Sequence, residues 1–220
     1  MKRTLFLVAL AVAAGVAGAA SGGGVAGSGF SARVDNPWLP LTPGTTYTYH
    51  GIRDGKPSRD VMTVTHRTKA IAGAPCVVVS DRLYLAGRLA ENTLDFYTQD
   101  SLGNVWYYGE ATAELDAKGR VTSREGSWQA GVNGAKPGIF MPAKPRIGYA
   151  GRQEYYKGHA EDHFRIAAMF GKNALLTEET TPLEPGVLDH KLYVRGVGTV
   201  VERTVKGGDE LNELISLRHS

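Results

Sequence analysis

The chain has 220 residues, 42% of them hydrophobic, with 25 Lys and Arg, 22 Asp and Glu, and one cysteine. This length supports one domain with a real hydrophobic core, and a single cysteine excludes an intramolecular disulfide. Two of the cations, Lys2 and Arg3, belong to a targeting segment, so the remainder is nearly neutral, which argues against nucleic acid or an anionic membrane as a partner held by charge.

Residues 1–19 have the layout of a secretory signal peptide. Lys2 and Arg3 supply the positive end, residues 4–16 are almost uninterrupted Leu, Val, Ala and Phe, and Ala17-Gly-Ala19 supplies the small residues before a cut after Ala19. The apolar run is shorter than the roughly 18 to 20 residues of a membrane-spanning helix, so no stable membrane insertion is expected after cleavage. No cysteine follows, which excludes a lipid-modified N-terminus of the bacterial lipoprotein type. The expected location is secreted or periplasmic, in a bacterium. Residues 20–33 read as a flexible Gly/Ser leader and residues 34–220 as a single β domain.

Short β-branched and aromatic runs separated by Gly, Pro, Asn and Asp dominate the domain, the pattern of an antiparallel β protein. Residues 45–50 alternate as a half-buried strand, Asp54-Gly55 turns, and residues 61–68 return. Ala74-Pro75 is expected to break the chain before a strand over 76–85, in which Cys76 leads into Val77-Val-Val79 and reads as a buried structural thiol. Ala86-Gly87 turns into a strand over 89–98, Leu102-Gly-Asn104 into Val105-Trp-Tyr-Tyr108, and Ala117-Lys-Gly119 into a strand over 121–128. The connection over 130–148 is rich in Gly and Pro around Ile139-Phe-Met141. It is expected to hold no central strand and to plug one end of the core. Strands are then expected over 152–156, 162–170, 174–180, 190–194, 199–205 and 210–217.

The order of these elements repeats. Residues 44–125 and 148–217 read as two similar β-meander halves, in which Tyr97 matches Tyr193 and Gly103 matches Gly198 with one residue of slippage between them. The expected fold class is therefore all-β: a strongly curved antiparallel sheet or barrel built from two halves. Closure is attractive because it removes exposed edge strands.

Three blocks stand out: Asn36-Pro-Trp-Leu-Pro-Leu-Thr-Pro-Gly44; Tyr97-Thr-Gln-Asp100 with Gly103-Asn-Val-Trp-Tyr-Tyr-Gly-Glu110; and Thr181-Pro-Leu-Glu-Pro-Gly186 with Gly196-Val-Gly198. Together they resemble a family of secreted bacterial proteins of unknown function, over most of the chain after the leader. The resemblance implies an envelope or secreted protein and supplies no activity. Each half also loosely resembles the curved β-sheet units of periplasmic lipoprotein-carrier-like proteins, a likeness of fold alone.

The densest polar and aromatic constellation spans Asp95 to Glu110. In a hairpin the alternate residues share a face, so Trp106, Tyr108 and Glu110 are expected to line one side with Asp95, Tyr97 and Gln99 nearby, and with Trp128 to form a ligand-binding wall. The competing reading is that these aromatics pack the core while Asp100 and Asn104 hold the turn. Glu110 with Asp95 or Asp100, or Glu91, could instead form the carboxylate pair of a hydrolase. His159-Ala-Glu-Asp-His163 is the best metal candidate, through His159, His163 and Glu161 or Asp162; His50, His66 and His190 are isolated. No Gly-x-Ser-x-Gly elbow is present, and Gly207-Gly208 is read as a hairpin turn rather than a phosphate loop. No cofactor and no catalytic residue is assigned. The favoured function is a non-catalytic protein binding a small apolar or amphipathic ligand. The alternatives are an envelope structural or protein-interaction module, with an envelope protein as partner, and a carboxylate-based hydrolase.

Overall fold

The computed structural model describes residues 29–220, and the predicted signal peptide and most of the leader lie outside the described residues. The first meander comprises β2 (Thr45–Arg53), β3 (Lys56–Ile71), β4 (Ala74–Leu85), β5 (Arg88–Asp100) and β6 (Val105–Leu115), preceded by the short β1 (Phe30–Ser31). Short strands follow: β7 (Val121–Ser123), β8 (Trp128–Gln129), β9 (Lys136–Met141), β10 (Ala150–Arg152) and β11 (Glu154–Tyr155). The second meander is β12 (His163–Phe170), β13 (Ala174–Thr180), β14 (Leu188–Val194), β15 (Gly198–Lys206) and β16 (Leu211–His219). Among the described residues there is no helix.

All of these strands belong to one antiparallel arrangement, ordered β10, β12 to β16, β2 to β6, β9, β11. The meanders join where β16 pairs with β2, Leu214 opposite Tyr49 and Leu217 opposite Tyr47. At the other seam only Gln153 separates β10 from β11. This one segment pairs with β12 on one side, Gly151 opposite Phe164, and with β9 on the other, Glu154 opposite Pro137. The sheet is thereby nearly closed into a barrel, leaving few unpaired edge groups.

The tight turns follow local chemistry. Asp54-Gly55, Ala72-Gly73 and Ala86-Gly87 all have positive φ at both residues, the backbone that suits the twist of a two-residue hairpin. The second of these turns replaces the expected break at Ala74-Pro75. Both residues belong to β4, because proline is tolerated near the start of a strand. The leader also ends sooner than position 33: Phe30 and Ser31 pair with Asp100 and Gln99 of β5.

The 130–148 connection departs from expectation as well. It contains β9, which is paired on both sides, with β6 and with β11. Gly138 permits this, because a Cβ there would lie 2.2 Å from the Arg152 carbonyl oxygen. Pro137 and Gly138 interrupt the sequence pattern of a strand yet allow a short one where two backbones pass closely.

Alternation along β4 sorts the two apolar clusters. Val77 and Val79 point inward with Tyr47, Tyr49, Val64, Val105, Ile166, Leu175 and Tyr193, whereas Cys76 and Val78 point the other way, with Phe96 and Tyr108. Trp38, Leu39 and Leu41 complete the inner cluster from the N-terminal segment. Asn36 holds that segment across one barrel end, its amide donating to the Gly103 and Pro142 carbonyls, while the Pro37 carbonyl accepts from Gly196 N–H. Trp38, Leu39 and Leu41 thus supply much of the plug that was expected from residues 139–141, although Met141 is also fully buried in the inner cluster.

Candidate functional site

The inner face changes character along the barrel. Its apolar end is built from valines and aromatics, and the strand register then stacks carboxylates in the same inward phase. Val77 opposes Tyr97, Val79 opposes Asp95, Met62 opposes Asp81, and Leu83 opposes both Asp60 and Glu91. On β6 the phase is set by Gly109, whose φ of +137° places one extra residue opposite β5. Tyr97 therefore faces Tyr107, and Asp95 faces Glu110. A side chain at 109 is excluded, because its Cβ would fall 2.4 Å from the Trp128 carbonyl oxygen.

That bulge divides the predicted ligand-binding wall. Tyr97 and Glu110 face inward, with Tyr107 between them in place of Trp106 and Tyr108. Trp106 and Tyr108 lie on the opposite face under Phe30, with ring centroids 6.0 and 5.6 Å from it. The Trp106 indole N–H donates to Asp100 at 2.8 Å. Gln99 serves the N-terminal segment: its Oε1 accepts from Asp35 N–H and Asn36 N–H, and its amide donates to Asp35. Trp128 does reach the interior group, edge-on to Tyr107 at 5.6 Å, and its indole N–H donates to Glu154 at 2.6 Å.

Among the hydrolase candidates, Asp95 and Glu110 lie side by side and share the Tyr107 hydroxyl, which is 2.7 Å from Asp95 Oδ1 and 3.3 Å from Glu110 Oε2. Asp100 is committed to its turn, accepting from Leu102 N–H, Asn104 N–H, the Asn104 amide and Trp106. Partial burial opposes ionisation there, yet the hydrogen bonds from Asn104, Trp106 and Leu102 hold its carboxyl below the usual range. Glu91 lies farther along the barrel, opposite Leu83 and Glu114.

The metal candidates are not brought together. His159 stacks on Tyr156 and its Nδ1 lies 3.4 Å from Glu125; Glu161 accepts from Gly158 N–H; His163 Nε2 accepts from Arg152. Among the described residues no group of three or more His, Cys, Asp or Glu could hold a metal ion. Cys76 is buried, with its thiol pushed up to about 12 by burial.

Two cavities occupy the lumen and share Tyr97, Phe140 and Lys191 as lining residues. The first, about 130 Å³, is lined by the apolar Leu39, Leu41, Met62 and Val197, by Tyr47 and Tyr49, and by the polar Asp60, Asp81, Glu202 and Asn212. The second, about 200 Å³, is bounded by Tyr107, Glu110, Gln153, Glu154 and Asp162. Lys191 stands between them and is already paired, 3.0 Å from Glu179 and 3.2 Å from Glu202. Burial would lower its pKa, but Glu179 and then Glu202 hold it well above the ordinary lysine range.

The lumenal carboxyls are displaced the other way. Burial, then the charges of Glu154 and Glu91, pushes Glu110 up to about 8, and burial followed by Asp162 does the same for Glu154. Burial raises Asp162 too, and burial with the adjoining Asp81 raises Asp60. The lumen is therefore an aromatic and acidic chamber with one internally neutralised lysine. Tyr107, Phe140, Glu154, Lys191 and Glu202 were not singled out from sequence. The available signal was a charged residue falling in the inward phase of a strand, as Asp81 does after Val77 and Val79.

No family model matches this sequence, and no curated protein matches it. Two solved structures are similar. A Bacteroides fragilis protein described as exported, with a YmcC-like fold, has 15% identity and a TM-score of 0.45 over 82% of this chain and 98% of that one. A Parabacteroides distasonis protein described as a lipoprotein has 10% identity and a TM-score of 0.42 over 83% of this chain and 99% of that one.

Proposed function

We propose that this chain is a secreted or periplasmic, non-catalytic protein that holds a small amphipathic ligand inside its barrel. The observation that carries the reading is the lumen itself, where one cavity is lined both by Leu39, Leu41 and Met62 and by Asp60, Asp81 and Asn212. An apolar wall with a few polar groups is the usual composition of a small-molecule site. Export is supported by the layout of residues 1–19.

Native mass spectrometry of the mature protein, purified from the envelope or the medium and compared with the same sample after denaturation, tests the binding. The expected result is an excess mass that disappears on denaturation, is lost in the cavity-filling variant Met62→Trp, and persists in Trp106→Ala, whose side chain lies on the outer face. Equal native and denatured masses, or an excess unaffected by filling the cavity, would overturn the reading. Recovery of the chain in the cytoplasmic fraction with residues 1–19 intact would overturn the export.

A further inference from the structure

The second lumenal cavity has a more specific chemistry than general amphipathic binding requires. Its aromatic wall is ordered: Tyr97 stacks on Tyr107 with centroids 4.8 Å apart, and Phe140 stands edge-on to both at 5.3 and 5.8 Å. Three carboxylates, those of Glu110, Glu154 and Asp162, complete the lining. None of the three forms an ion pair among the described residues; Lys191 also lines the cavity and moderates Glu154 and Asp162, but its ion pairs are with Glu179 and Glu202.

The hydrogen bonding is one-sided too. Glu154 is only 7% exposed, and Trp128 occupies its Oε2. Glu110 accepts from Tyr107 and Thr112, both through Oε2. The Oε1 atoms of Glu154 and Glu110 accept no hydrogen bond from the described residues and are not fully enclosed, and each residue lines the cavity. Ionising a carboxyl in a largely buried site without a positive partner is costly. Electron-rich ring faces also attract cations. A metal ion does not fit, since these side chains do not gather into a coordinating group.

We infer that this cavity seats the positively charged head of the ligand, a compact organic ammonium group held between the aromatic rings and the carboxylates of Glu110, Glu154 and Asp162. This inference rests on the lumenal-binding reading and names the chemical class that the site selects. The apolar part of the ligand then extends past Tyr97 and Phe140 toward Leu41 and Met62, since both cavities share those two rings. Lys191 contributes little repulsion, being matched by its own two carboxylates.

Binding of the cation is coupled to proton release. Glu110 and Glu154 hold their protons up to about pH 8 in the free site, and an ammonium group prefers the ionised carboxylates. Affinity for a quaternary ammonium, whose charge does not titrate, should therefore rise with pH between 6 and 8. The limit is about tenfold per unit for each proton displaced.

The test uses isothermal titration calorimetry on the mature chain with choline and benzylamine. Their uncharged counterparts serve as comparison: the choline isostere with tert-butyl in place of trimethylammonium, and benzyl alcohol. The expected result is that at least one ammonium probe binds at least tenfold more tightly than its neutral counterpart. That preference disappears in Glu154→Gln and in Glu110→Gln, each checked for a β circular-dichroism spectrum, and choline tightens as pH rises. The probe comparison on the unaltered chain decides the matter even if a variant fails to fold. Equal binding of charged and neutral probes would overturn the cation assignment while leaving lumenal binding intact. No binding of either ammonium probe would also overturn it, and lumenal binding would then be judged separately by the mass excess of the native protein.

Discussion

Replacing Glu154 with Gln should change how the stability of this protein depends on pH. The amide keeps an oxygen to accept the Trp128 indole hydrogen bond, so the main change is removal of an ionisable group from a site it shares with Glu110, Asp95, Asp162 and Lys191. In the folded chain Glu154 is raised from 4.5 to about 8, with burial the largest cause. Since the folded state holds this proton more tightly than the unfolded state, the contribution to stability is complete below pH 4.5. It falls as pH rises through the window up to about 8 and is constant above it. At about 1.4 kcal/mol per unit, the window corresponds to an upper limit of about 4 to 5 kcal/mol. Relaxation around the ionised group reduces that figure, so about 2 to 4 kcal/mol is expected. Urea unfolding of both proteins at pH 4.5, 7 and 9 measures it. The variant should match the unaltered chain within about 1 kcal/mol at the lowest pH and exceed it increasingly toward pH 9. A difference that stays flat from pH 4.5 to 9, or that favours the unaltered chain at high pH, would refute the assignment of Glu154 as a buried, charge-crowded acid.

Lys191→Met tests the internal ion cluster. It leaves Glu179 and Glu202 without their shared cation and should cost about 3 to 5 kcal/mol at pH 8 in chemical denaturation. The deficit should shrink at pH 5, because burial favours the protonated form of Glu179. Gly109→Ala tests the bulge: the added Cβ at φ +137° meets the Trp128 carbonyl, and thermal melts should show a loss of at least about 3 kcal/mol. Gly119→Ala, at φ +74° but in open space, serves as comparison and should cost only about 1 to 2 kcal/mol.

Much of the architecture was legible in the residues because its causes are local. The alternation in Thr45-Thr-Tyr-Thr-Tyr, the Asp54-Gly55 and Ala86-Gly87 turns and the apolar run around Val78 each act within a few positions, and all three predict the meander found. The β9 strand was hidden because Pro137 and Gly138 read as breakers. It exists because two other segments supply its hydrogen bonds. The candidate wall was half legible: Tyr97, Glu110 and Trp128 belong to the interior group, whereas Trp106 and Tyr108 do not. Regular alternation was the right rule applied across a bulge that the sequence shows only as another glycine.

From sequence alone, then, follow the β class, most of the strand positions and the supply of aromatic and acidic residues around positions 95 to 110. These depend on backbone preferences and on a period of two, which need no partner. Tertiary structure decided which side of the sheet each residue serves. Gly109 turned Glu110 inward because Trp128 approaches its backbone, and sheet closure at Gln153 brought Glu154 beneath Trp128 and into the lumen with Glu110. It also gathered Lys191, Glu179 and Glu202 from three strands into one ion cluster. Burial, desolvation and charge crowding arise only when distant strands share a face, and those are the properties that set the interior of this barrel apart from its surface.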